Sequence, residues 1–125
     1  MGKQQITTDA APAPSGAYSQ AIKAGDYIFL SGQGPFTEDG SKAEGGFAAE
    51  VRQTFANLAA VAAAAGGSLA NAVRVGVYLN DISQFGEMND IYRETFPEPL
   101  PARTTIETPL PGFAIEVDVV LYLGD

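Results

Sequence analysis

The chain has 125 residues, 46% hydrophobic and 18% charged, with a formal net charge of −8. That length and composition predict one folded domain spanning residues 1–125 and exclude a disordered chain. Cysteine and histidine are both absent, which excludes disulfides, a zinc site built from Cys or His, a thiol nucleophile and any Ser–His or Cys–His dyad within the chain. The basic residues Lys3, Lys23, Lys42, Arg52, Arg74, Arg93 and Arg103 do not cluster. Since nucleic-acid affinity rests on Lys and Arg contacts to phosphate, no nucleic-acid partner is expected. MGKQQITTDAAPAPSG lacks the apolar stretch of a secretory signal, and FANLAAVAAAA is shorter than the roughly 18–20 residues of a membrane span. The expectation is a cytoplasmic protein with no membrane contact.

Residues 1–15 read as a short strand and a loop kept extended by Pro12 and Pro14. Ala17 to Lys23 reads as a strand, Ala24-Gly25-Asp26 as a turn, and Tyr27-Ile28-Phe29-Leu30 as a second strand, together a hairpin. Gly32 and Gly34 close it, and two glycines so near each other imply unusual backbone angles or close approach by another group. From Glu44 to Ala65 the period becomes helical, with Phe47, Val51, Phe55, Leu58 and Ala62 inward and Arg52, Gln53 and Asn57 outward; Gly66-Gly67 stops it. Val73, Val75, Val77 and Leu79 alternate with Arg74, Gly76, Tyr78 and Asn80, a strand with one buried face. Asp81 or Ser83 can cap a second helix with a stripe of Phe85, Met88, Ile91 or Tyr92, and Phe96, ended by Pro97. Arg103, Thr105 and Glu107 share one face of the next strand. In the last, Ile115, Val117, Val119, Leu121 and Leu123 alternate with Glu116, Asp118, Val120 and Tyr122.

The order β-β-α-β-α-β-β, with two helices on one sheet face, defines a two-layer α+β domain. The other sheet face carries Gly76, Tyr78, Ala114, Val120 and Tyr122 and is half apolar, which points to a partner, expected to be further copies of the chain. Without His or Cys, Arg103 and Glu116 stand out as the charged members of a small-molecule site. Read as neighbouring strands, their two runs also admit an ordinary cross-strand ion pair. Ser31 has no histidine to activate it, and the SGQGP glycines match no phosphate loop.

The segments GAYSQAI (Gly16–Ile22), FLSGQGP (Phe29–Pro35), QTFANLAAVAAAAGGS (Gln53–Ser68), VYLNDISQFGEMNDIYRETF (Val77–Phe96), PART (Pro101–Thr104) and IEVDVV (Ile115–Val120) follow one another in an order and spacing that resembles the reactive intermediate deaminase, or RidA/YjgF, family. The resemblance implies a chorismate-mutase-like fold assembled as a homotrimer with clefts between subunits. It implies that Arg103 clamps a substrate carboxylate, that Glu116 holds or activates a water, and that Tyr18, Ser31, Gly32, Asn89 and Thr105 complete the substrate site. The implied reaction is hydrolysis of enamine and imine acids of the 2-aminoacrylate/2-iminopropanoate type to 2-keto acids and ammonia, with no metal or organic cofactor. The chain departs from the family pattern in three places: Thr105 stands where a cysteine is common, Ala17 where a proline is often found, and the PLPGF loop is short, which bears on the cleft rim and the side chain accepted.

These residue types suit that chemistry. A guanidinium grips a carboxylate through two parallel donors, which a lysine cannot do. An imine carbon is already electrophilic, so positioned acid–base help, typically worth about 10²–10⁴-fold, is sufficient. The same residues also fit a non-catalytic binding module for small keto or imino acids, or a pathway-specific enzyme for an aminoacrylate or aminomuconate. An endoribonuclease is disfavoured by the charge of −8 and the missing histidine.

Overall fold

In the computed structural model, which describes residues 2–125, the chain runs β1 (Lys3–Ile6), β2 (Ala21–Ala24), β3 (Tyr27–Gln33), α1 (Phe47–Ala64), β4 (Ala72–Leu79), α2 (Phe85–Thr95), β5 (Ala102–Glu107) and β6 (Ile115–Tyr122). The six strands form one sheet in the order β1-β2-β3-β6-β4-β5. Strands β4 and β5 are parallel, and every other neighbouring pair is antiparallel. The architecture is the expected two-layer α+β one, and the short strand read within residues 1–15 is its edge strand β1, paired to β2 from Lys3 opposite Ala24 to Ile6 opposite Ala21.

The alternation in β6 places Ile115, Val117, Val119 and Leu121 in the core. They meet Val75, Val77 and Leu79 of β4 and Ile28 and Leu30 of β3 beneath α1, which supplies Val51, Phe55, Leu58, Val61 and Ala62. Helix α2 adds Met88, Ile91 and Tyr92, and Phe96 follows it. The two helices meet through aromatic edges, Phe55 against Tyr92 and Phe96 at ring-centroid distances of 6.1 and 5.6 Å. Burial of this apolar area, at about 25 cal/mol per Å², is what holds the helices on the sheet.

Three local expectations are corrected. The strand expected from Ala17 begins pairing only at Ala21; upstream the chain curls, with Tyr18 N–H donating to the Gly16 carbonyl at 3.0 Å. Helix α1 starts at Phe47, not Glu44, because Gly45 and Gly46 sit at φ +119° and +91°, which a helix does not admit. Val73 is 41% exposed instead of joining the inward row: the β4–β6 register shifts between Ala72 and Arg74, and a bulge turns successive side chains out of alternation.

The face away from the helices is open. Tyr27, Phe29, Ile106 and Tyr122 are exposed there, with Val120 opposite Phe29 and Tyr122 opposite Tyr27. No described helix is long and apolar enough to cross a membrane.

Candidate functional site

Strand β4 lies between β5 and β6, so Arg103 and Glu116 are not on neighbouring strands. They are also on opposite faces. Arg103 is level with buried Val75 of β4 and projects to the helix side, its guanidinium carbon 4.4 Å from the Tyr92 ring centroid and 5.3 Å from that of Phe85. Glu116, between core residues Ile115 and Val117, is level with Tyr78 on the open side. The cross-strand ion pair is therefore excluded, and one copy of the chain does not bring the two charges together.

Each charge has its own cavity. Arg103 lines a space of about 310 Å³ with Asn89, Tyr92, Arg93, Leu100 and Pro101. The β5 run sets its direction, and α2 gives it an aromatic ledge. Among the described residues no carboxylate is within ion-pair distance of Arg103, although the chain carries 15 acidic residues. A guanidinium stacked on rings and otherwise uncompensated keeps its donor fork open to an anionic ligand. The Tyr92 hydroxyl is buried and unpartnered; burial pushes its pKa up, and the Arg103 charge pulls it part of the way back. Thr105, two residues along the same face, likewise has a buried hydroxyl oxygen without a hydrogen-bond partner.

Glu116 lines the second space, of about 410 Å³, with Tyr18, Ser31 and Gly32. The β3–β6 register shifts between Leu30 and Gln33, and this irregularity carries Ser31 and Gly32. A Cβ on Gly32 would collide with the Glu116 carboxylate, so the glycine is needed for the carboxylate to lie across β3. Close approach, rather than a positive φ, is thus what Gly32 serves, since it is not among the glycines at positive φ. Ser31 donates through its hydroxyl to the Ser19 carbonyl at 2.7 Å, and its N–H donates to the Gln20 carbonyl at 3.0 Å. Ser31 therefore ties down the loop bearing Tyr18. The Tyr18 hydroxyl accepts from Ser15 N–H at 3.1 Å, which holds its exposed ring at the cavity mouth. Burial, and secondarily the Asp118 charge, raise the Glu116 pKa above its ordinary 4.5. The Tyr78 hydroxyl donates to Asp118 Oδ2 at 3.0 Å, and this bond is the main reason the Tyr78 pKa is raised.

The predicted residues thus separate into an Arg103–Asn89 half, with Thr105 on its strand face, and a Tyr18–Ser31–Gly32–Glu116 half. Sequence reasoning missed the residues that fix the second half. Asn57 was expected outward but is 2% exposed, its amide donating to the Phe36 and Gly34 carbonyls at 2.7 and 3.1 Å. Its signal was available: it falls three residues after Thr54 and seven after Glu50, both on the buried stripe of α1.

A two-layer α+β chain with cavities on both sides of one sheet, a guanidinium at one and a partly desolvated carboxylate at the other, has the features of a small-molecule-binding protein. Residues 8–123 match the family model described as Endoribonuclease L-PSP. The chain is 42% identical over 123 residues to a RutC family protein of Pyrococcus horikoshii, covering 96% of this chain and 98% of that one. It is 39% identical over 125 residues to the 2-iminobutanoate/2-iminopropanoate deaminase of Rattus norvegicus, covering 98% and 91%. The crystal structure of RidA from an Antarctic Psychrobacter superposes with a TM-score of 0.89 at 40% identity, covering 95% and 98%. The chain belongs to the RidA/YjgF family.

Proposed function

We propose that this chain hydrolyses reactive 2-imino acids, and the enamines that tautomerise to them, releasing a 2-keto acid and ammonia. The uncompensated Arg103 guanidinium carries the reading: in a chain of net charge −8 it pairs with no carboxylate among the described residues and faces a cavity. Family membership and deaminase relatives at 36% and 39% identity support it.

Substrate occupies a cleft formed by Arg103 of one copy and Glu116 of a neighbouring copy. The exposed apolar residues Tyr27, Phe29, Ile106 and Tyr122 support association of the open sheet faces as a trimer. Arg103 binds the carboxylate through two donors and so fixes the imine carbon. Glu116 takes a proton from a water whose oxygen bonds to that carbon. As the C–O bond forms, the C=N π pair moves onto nitrogen, which takes the proton held by Glu116. Glu116 then takes the hydroxyl proton and passes it to nitrogen, the remaining C–N bond breaks with its pair on nitrogen, and ammonia departs as the carbonyl forms. The raised Glu116 pKa shifts this carboxylate in the direction that makes it a better proton acceptor.

The test generates 2-aminoacrylate beside the protein and times the release of keto acid and ammonia against the uncatalysed decay. Acceleration should fall by about 10²-fold or more in Arg103→Ala and in Glu116→Gln. No acceleration over buffer, or an Arg103→Ala rate equal to the parent, overturns the reading. Binding of 2-oxobutyrate that depends on Arg103 without turnover of any imine would instead identify a binding module.

A further inference from the structure

The Glu116 half does not end at the reacting group. A cavity of about 440 Å³ continues from Glu116 and Gly32 past Tyr18 and Pro12 to Phe36 and Phe113. The two phenylalanine rings meet edge to face, centroids 5.3 Å apart at 68°. Gly34 makes room for the first of them, since a Cβ there would sit 2.9 Å from the Phe36 ring. One polar side chain lining this cavity is already occupied: the Gln20 oxygen accepts from Thr8 N–H at 2.7 Å and its amide donates to the Thr8 and Pro12 carbonyls at 3.0 and 2.9 Å.

Helix α1 holds both rings in place. Asn57 grips the carbonyl of Phe36 itself. On the other side Glu50 accepts from Ala114 N–H at 2.9 Å and pairs with Lys42 at 3.7 Å, while Lys42 donates to the Gly112 carbonyl at 3.2 Å. Phe113 is thereby clamped from both neighbours. A fixed apolar wall beside a reacting carbon is a size and polarity filter, and the methyl group of a three-carbon imino acid would leave most of this volume without contacts.

We propose that the Phe36–Phe113 pair is the side-chain specificity wall of the site, and that the preferred substrates are 2-imino acids bearing a branched aliphatic or aromatic side chain. The proposal rests on reading Arg103 and Glu116 as the two ends of an imino-acid site, and it names the substrate class of that site.

The stable 2-oxo acids serve as probes in calorimetry on the full-length chain, with imines made in place by an amino-acid oxidase as the kinetic arm. The parent should bind 4-methyl-2-oxopentanoate about tenfold or more tightly than pyruvate. Phe113→Ala should remove that preference, raising KM for the leucine-derived imine while leaving pyruvate binding within about twofold. Phe113→Leu, which keeps apolar bulk, should restore most of it. Equal or tighter pyruvate binding in the parent, or a Phe113→Ala loss equal for both acids, overturns the proposal. A size preference in binding with no turnover of any imine would sink the deaminase reading and with it the substrate class, leaving the wall as a side-chain filter for bound 2-oxo acids. Turnover of the alanine-derived imine without a size preference would do the reverse.

Discussion

In the proposed mechanism the ionisation of Glu116 sets activity, and its raised pKa links the same proton to stability. The titratable groups around it on the open face are Tyr18 from the β1–β2 loop, Tyr78 from β4 and Asp118 from its own strand. Desolvation first and Asp118 second raise its pKa. A base must be ionised to take a proton from water, so activity should climb with pH through a value above 4.5. Asp118→Asn should move that limb to lower pH by removing the like charge; a limb that stays put refutes the coupling, and a pH–rate profile of kcat decides. The linkage to stability has the opposite sense. The folded chain holds this proton more tightly than the unfolded one, so the protonated group's contribution is complete below the unfolded pKa and disappears as pH rises through the folded pKa. Glu116→Gln should therefore raise Tm at about pH 7 and raise it less at about pH 4, by calorimetry.

Helix α1 is more than a cover for the sheet. Its buried stripe carries polar residues at Glu50, Thr54 and Asn57 among the apolar ones, and two of these reach across to the loops that build the Glu116 side. Asn57→Ala would leave the Gly34 and Phe36 carbonyls without their amide donor. Buried groups stripped of a partner cost about 1–3 kcal/mol, so urea unfolding should show a loss of that size with unchanged m-value, and a loss near zero would mean water replaces the amide. Burial of Asn57 was not anticipated because an asparagine in an alanine-rich helix defaults to solvent. The strand faces were legible where period-two alternation ran unbroken, as in β6, and failed at Val73, where the bulge interrupts it. Alternation assigns a face but not a neighbour, so nothing in the β5 and β6 runs told that β4 would lie between them.

At the scale of the molecule, Arg103 and Glu116 were recognisable as residues, but their relation was not. In the proposed trimer each cleft takes Arg103 from one copy and Glu116 from the next, which a mixing experiment can test. Arg103→Ala and Glu116→Ala chains should each be nearly inactive alone, but random mixed trimers should contain intact clefts in about one quarter of positions, recovering about that share of parent activity. Light scattering supplies the accompanying oligomeric state. A mixture that stays as inactive as its components would refute the shared cleft.

The placement of Arg103 and Glu116 on opposite faces of one sheet has a consequence for dosage. In the proposed assembly a chain newly released from the ribosome, or diluted below the concentration at which copies associate, holds two halves that never meet. Output per molecule then grows with the amount of protein made, and expression level acts as a threshold rather than a simple multiplier.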